Sequence, residues 1–245
     1  MKSTVSVKHF SLSLGGKGIV HDLSFDVQPG EVFAFLGANG SGKTSTIRAL
    51  IGLYEPTKGT LKVNGRQYTP NDARDVGYLP EERGLYTRVS AIDNLTYFGE
   101  MKGMTRAEAR QLGMEFLAEV GLADKANLKL KKLSGGQQQK VQLGVAVMGN
   151  PKLLILDEPT KGLDPVNRKL LLDIVDRHKQ QGASVIYITH LMEEVERLAD
   201  RLLIIKDGRA EAYGTVKEVK KKFNATSIED VFVSIYNSTS KKGGE

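Results

Sequence analysis

The sequence predicts an α/β fold with a mixed or parallel central sheet, an antiparallel β subdomain at its amino-terminal end and an inserted helical lobe. Three observations carry that prediction. The runs Glu31–Leu36, Leu153–Leu156 and Val185–Ile188 are apolar almost throughout, as strands covered on both faces must be. The first run feeds directly into the glycine-rich stretch Gly37–Thr44 and then a helical pattern. The last two are separated by a helical pattern after Pro165, the spacing of a β-α-β unit and hence of parallel strands.

In chain order, His21–Val27 alternates polar and apolar residues before the Pro29-Gly30 turn, which predicts a half-buried antiparallel strand. After the glycine stretch, a helix from Lys43 to Leu53 should end near Gly52, and a hairpin should follow with Asn64-Gly65 at its tip. Beyond Val76–Pro80 the pattern turns helical. Thr105-Arg106-Ala107-Glu108 is a capping box opening a helix on which Leu112, Phe116 and Val120 should share one buried face, with Gly121 at its end. A second helix, Gln137–Met148, follows Ser134-Gly135-Gly136. Later come a hairpin about Asp207-Gly208, a basic helix, the segment Ser227–Val233, and Ser238–Glu245, which should fray. The expected organisation is one domain, 1–245, with a core of 1–81 and 149–215, a helical lobe of 82–148 and a tail of 216–245.

Composition narrows the function classes. A chain of 245 residues can bury a full core and carry a secondary lobe. It has no apolar run approaching membrane-span length, and Met1–Val7 lacks a signal-peptide core, so a cytoplasmic location is expected. With no cysteine there is no disulfide framework or thiolate metal site, and the four histidines show no metal-ligand spacing. The formal charge of +6 fits a nucleic-acid partner, the anionic inner face of a membrane, or a solubilising surface. Lysines cluster at Lys129-Lys131-Lys132 and Lys217-Lys220-Lys221-Lys222 without the interleaved aromatics of a stacking platform, which counts against nucleic acid.

Gly37-Ala38-Asn39-Gly40-Ser41-Gly42-Lys43-Thr44 has the form of a phosphate-binding loop, and such a match arises by accident in roughly one or two chains in a hundred of this length. Its backbone N–H groups should converge on a β-phosphate, with glycines required by the turn and by the close approach, and the following helix adds its positive end. Lys43 would neutralise β- and γ-phosphate oxygens, and the Thr44 hydroxyl would complete a Mg²⁺ shell. Asp157 and Glu158 follow a buried strand at its carboxyl end, the edge where ligands bind in open α/β sheets. Asp157 is the candidate Mg²⁺ partner, and Glu158 the group that polarises an attacking water. His190 ends the next apolar strand, where an imidazole could reach the γ-phosphate; His9, His21 and His178 are read as structural.

The segment Leu133-Ser134-Gly135-Gly136-Gln137 narrows this further, since an accidental match is on the order of one in a few thousand. It begins a helix whose N-terminus is a second anion site, although one phosphate tail already has its own helix end. With the phosphate loop and Asp157-Glu158, it makes the chain resemble the nucleotide-binding subunit of an ABC transporter, a P-loop NTPase, over nearly its whole length. The resemblance implies ATP and Mg²⁺ as cofactors and a head-to-tail dimer in which the signature of one subunit covers the nucleotide on the P-loop of another. It assigns nucleotide contacts to Gly37, Asn39, Gly40, Ser41, Gly42, Lys43, Thr44 and Thr46. Ser134, Gly135, Gly136 and Gln137 would act in trans, Asp164 would lie on the loop crossing the dimer seam, and His190 would be the switch histidine. It places Glu81 with Thr44 and Asp157 near the metal.

Three positions depart from the family pattern. Leu14 stands where an aromatic residue normally stacks on adenine, Glu81 where glutamine is usual, and Lys161 where a small residue is common. The stretch Gly77–Tyr86 and the segment Ile228–Phe232 are similar to separately encoded ATPase subunits of sodium- and drug-export systems. The resemblance therefore implies an ATPase at the inner face of the cell membrane. It would work as a homodimer, or as a heterodimer with a related subunit, and drive export through a transmembrane permease on another chain. The rival readings are a non-transport ABC ATPase acting on nucleic acid or ribosomes, and a nucleotide-gated binding module with little hydrolysis.

Overall fold

The computed structural model describes residues 3–82 and 84–237; the expected fraying of Ser238–Glu245 lies outside them. The chain is α/β, with a small antiparallel sheet and a larger mixed one. It divides into two compact units, Met1–Thr69 with Ile186–Glu245, and Pro70–Val185.

In the first unit, β1 (Val5–Leu14) pairs antiparallel with β2 (Lys17–Val27) and, on its other side, with β4 (Lys58–Val63). The tight turn at Asn64-Gly65 is present, with both residues at positive φ, but it closes a single Val63–Arg66 bridge and no second strand follows. The partner of β4 is the distant β1, whose edge is longer than the local return could supply. Strand β3 (Val32–Leu36) is buried at every residue and runs parallel to β8 (Arg201–Lys206), which turns at Asp207-Gly208 into the antiparallel β9 (Arg209–Thr215). Phe25 of β2 stacks on Phe33 of β3 at 5.4 Å, joining the small sheet to the large one through aromatic burial. Helix α1 (Lys43–Leu50) stops short of the expected Leu53, because Gly52 at φ 76 ends it.

The second unit contains β5 (Val76–Leu79), parallel to β6 (Leu153–Asp157), and helices α2 (Ala91–Met101), α3 (Arg106–Glu119), α4 (Gly135–Val147) and α5 (Pro165–Gln180). Strand β7 (Ser184–Ile188), buried throughout, starts in this unit and ends in the first. The Thr105/Glu108 capping box opens α3 as the sequence predicts. The buried face of α3 differs from expectation, since Leu112 is 42% exposed while Ala109, Gly113, Phe116 and Leu117 face inward. The reason is close helix approach. A Cβ on Gly113 would lie 2.9 Å from Ile92 Cδ1, and one on Gly99 would lie 2.6 Å from the Ala109 Cβ, so small residues set the seam between α2 and α3. The tail of the first unit adds α6 (Met192–Leu198), α7 (Val216–Lys222) and α8 (Ile228–Asn237). No helix among the described residues is long and apolar enough to cross a membrane.

Candidate functional site

The loop after β3 is built as a phosphate cradle. Gly40 and Gly42 hold φ of 78 and 106, backbone that a side chain would strain. At Gly37 the obstacle is space, since a Cβ would come within 2.5 Å of both the Ile205 carbonyl and Ser41 Oγ. Ser41 Oγ is buried without a hydrogen-bond partner among the described residues, which leaves a hydroxyl that a ligand or a bound water can satisfy. Gly42 leads into α1 with no side-chain cap, at the helix end that favours an anion. Lys43 folds its ammonium back over the loop, donating to the carbonyls of Gly37 at 2.7 Å and Ala38 at 3.0 Å. Asn39 and Gly40 are exposed at the crown, and Thr44 is half-buried. Thr46 is fully buried and donates its hydroxyl to the Gly42 carbonyl at 2.8 Å, which pins the loop to the helix. The loop is also held from the β8–β9 turn, where Gly208 N–H donates to the Ser41 carbonyl at 3.1 Å. An orphan hydroxyl, a helix start without a side-chain cap and a lysine together fit a nucleotide phosphate tail.

His190, in the same unit, is exposed just beyond β7 on a turn that buried polar groups define. Glu194 is 2% exposed and accepts from the Tyr187 hydroxyl at 2.9 Å and the Thr189 hydroxyl at 3.1 Å, while Thr189 Oγ1 accepts from Leu191 N–H at 3.0 Å. The turn is thereby fixed on both sides of the imidazole.

In the second unit, β6 ends in the buried Asp157, and Glu158 follows at φ 51. Seven described non-glycine residues have positive φ, and Glu158 is the only one of them that is not Asn, Asp or His, the types that tolerate it best. Backbone strain of that kind persists where the surroundings impose it, commonly at functional sites. Two glutamines of α4 supply part of that hold. Gln139 donates to the Pro159 carbonyl at 2.9 Å, and Gln142 donates to the Pro80 carbonyl at 2.8 Å, so the signature helix grips the loops carrying Glu158 and Glu81. Sequence reading missed both. The available signal was a pair of amides three apart on a helix with little polar surface to spare.

The signature helix begins two residues earlier than predicted, at Gly135 rather than Gln137. Ser134 caps it reciprocally, its hydroxyl accepting from Gln137 N–H at 3.3 Å and its own N–H donating to Gln137 Oε1 at 3.0 Å. Gly136 faces the Gly162-Leu163 turn, where a Cβ would approach Leu163 Cδ2 at 3.3 Å. Asp164 caps α5 by accepting from Val166 and Asn167 N–H, both at 3.0 Å, and the Asn167 amide foremost holds its carboxyl below the usual range. Ser134, Gly136, Gln137, Lys140, Gly162 and Asp164 line one open hollow.

Two of the three departures from the family pattern meet each other. Lys161 Nζ lies 2.7 Å from Glu81 Oε1, and both are exposed. The hydrogen bond to Glu81 raises the lysine's pKa, with further upward pushes from Glu158 and Asp157. Leu14, the third departure, is an exposed leucine at the end of β1.

A glycine-built phosphate loop after a buried strand, and a buried Asp followed by a strained Glu, define a nucleotide-binding P-loop protein. The comparisons then give the family. Residues 20–161, more than half the chain, match the family described as "ABC transporter". An uncharacterized ABC transporter ATP-binding protein of Methanocaldococcus jannaschii is 42% identical over 91% of this chain and 81% of its own length. The linearmycin resistance ATP-binding protein of Bacillus subtilis is 37% identical over 95% of this chain and 76% of its own. A solved structure titled "Structure of ATP binding subunit of ABC transporter" superposes with a TM-score of 0.89 at 30% identity, covering 96% of this chain and all of that one. The chain belongs to the ABC transporter family, as an ATP-binding subunit.

Proposed function

We propose that the chain hydrolyses ATP in a head-to-tail, ATP-dependent dimer and thereby drives export through a transmembrane permease on a separate chain, from a position at the inner face of the cell membrane. The carrying observation is that one chain holds two phosphate-directed helix starts, the glycine-built entrance to α1 and the Ser134-Gly135-Gly136 entrance to α4. One nucleotide tail on one subunit has use for only the first; two copies facing each other use both twice.

In this reading the loop amides from Asn39 to Thr44 and the Lys43 ammonium hold the β- and γ-phosphates, with Thr46 anchoring the loop from below. Thr44 and Asp157 offer the hard oxygen donors that suit Mg²⁺, which when bound offsets charge on the phosphate oxygens. Glu81, whose Oε1 pairs with Lys161, is the third candidate metal partner. The Glu158 carboxylate orients the attacking water and accepts its proton as the new P–O bond forms and the bond to the bridging β–γ oxygen breaks. His190 reads the γ-phosphate, and Ser134, Gly136, Gln137 and Asp164 close over it from the other subunit. Export is supported by a relative named Nod factor export ATP-binding protein I, of Paraburkholderia xenovorans, 39% identical over 82% of this chain, and the lack of interleaved aromatics in the lysine clusters argues against nucleic acid.

The test is purification of the tagged chain from detergent-solubilised membranes of its host. A stoichiometric multi-span protein is expected; ribosomes or nucleic acid in its place, with no membrane protein, would move the chain to the non-transport class.

A further inference from the structure

The phosphate loop is held from behind by the last described helix. Ile228, Val231 and Ile235, at helical spacing on α8, are buried against Ala34 and Leu36 of β3 and Leu202 and Ile204 of β8. Ser227 and Asp230 start the helix by capping each other's backbone N–H at 3.0 Å, and Ile228 N–H donates to Glu196 Oε1 at 2.8 Å. This packing places Tyr236 against the loop. Ala38 N–H donates to the Tyr236 hydroxyl at 2.7 Å, and that hydroxyl donates onward to the Ile205 carbonyl at 3.0 Å. The ring itself is fixed. Phe232 stacks on it at 4.4 Å, and Lys206 Nζ lies 5.1 Å from its centroid while donating to the Ile235 carbonyl at 2.7 Å. Burial raises the phenol's pKa, which keeps the proton that the Ile205 bond needs.

We infer that Tyr236 is a positioning residue for nucleotide binding, a brace that presets the entry of the phosphate loop. Ala38 lies just before the crown of the loop, so its amide can be tied down without removing a donor from the phosphates. The Ile205 carbonyl held by the same hydroxyl also bounds the space beside Gly37. One phenol therefore joins the two chain segments between which the loop leaves β3. A loop already in its binding conformation loses less entropy on meeting its ligand, and α8 becomes a place from which nucleotide affinity can be set. The inference rests on the reading of Gly37–Thr44 as the ATP site.

The test compares wild type, Tyr236→Phe and Val219→Ala. Tyr236→Phe keeps the ring and its contacts and removes only the hydroxyl. Val219→Ala trims the same buried cluster without touching the loop. ATP affinity is measured by calorimetry with Mg²⁺, and amide hydrogen exchange of the loop is measured without nucleotide. Tyr236→Phe should exchange the loop amides faster and bind ATP about three- to tenfold more weakly, the effect of one hydrogen bond. Its kcat at saturating ATP should stay within about twofold. Val219→Ala should melt earlier yet bind ATP like wild type. Unchanged affinity and exchange in Tyr236→Phe would overturn the brace, and so would an equal loss of affinity in Val219→Ala, which would mean general softening. Failure of wild type to bind ATP would instead overturn the P-loop reading, and the brace with it.

Discussion

The phosphate loop and the signature turn are both helix entrances rich in glycine, yet they keep their polar groups differently. The loop at Gly37–Thr44 leaves α1 uncapped and Ser41 Oγ buried without a partner among the described residues. The signature turn uses its own side chains, with Ser134 and Gln137 capping each other and Asp164 capping the neighbouring α5. An entrance with no side-chain cap and a buried orphan suits a receiving surface. An entrance already satisfied must exchange its bonds to touch a phosphate. It suits a closing surface that engages only when a second subunit presents the nucleotide.

The comparison breaks most severely at Lys43. Lys43→Ala should reduce ATP affinity about 100-fold or more, since charge-assisted bonds contribute about 1.5–3 kcal/mol each. Calorimetry on the isolated chain checks this, and near-normal affinity would remove the receiving role.

Ser134→Ala sharpens the contrast from the other side. Loss of the cap should cost about 1 kcal/mol of stability. ATP binding to the monomer should be unaffected, while ATP-dependent association weakens and Ser134→Thr restores it. A defect in monomer binding equal to that in association would show that the signature serves its own subunit's nucleotide.

The smallest expected effect concerns the Glu81–Lys161 pair. Exposed ion pairs add little stability, so melting temperatures should hardly move. Lys161→Ala should nonetheless weaken Mg-ATP binding about threefold by leaving Glu81 uncompensated near Asp157 and Glu158, and Glu81→Gln in the same chain should restore it. Additive losses measured by nucleotide titration would show that the two residues act independently.

Much of this architecture was legible in the sequence because it depends on short-range rules. Apolar runs identified β3, β6 and β7, the Thr105/Glu108 box identified the start of α3, and Asp207-Gly208 marked the β8–β9 turn. The candidate site positions rest on the same kind of rule, since phosphate and metal chemistry dictates residue types at fixed spacing. Pairings across long separations were not. Nothing local joins Ala38 to Tyr236 or Glu81 to Lys161, and nothing in the helical pattern of α4 points Gln139 and Gln142 at the carbonyls of Pro159 and Pro80. Leu112 misled because periodicity alone ignores how closely glycines let helices approach; α3 buries Gly113 and leaves the leucine out.

Glu158 is where the account is most exposed, because the proposed function assigns it the hydrolytic step. The decisive measurement is light scattering of Glu158→Gln with and without Mg-ATP, alongside phosphate release. The account predicts an ATP-dependent shift from monomer to dimer with turnover reduced to background. Wild-type phosphate release by that variant, or a mass that ATP leaves unchanged, would contradict it.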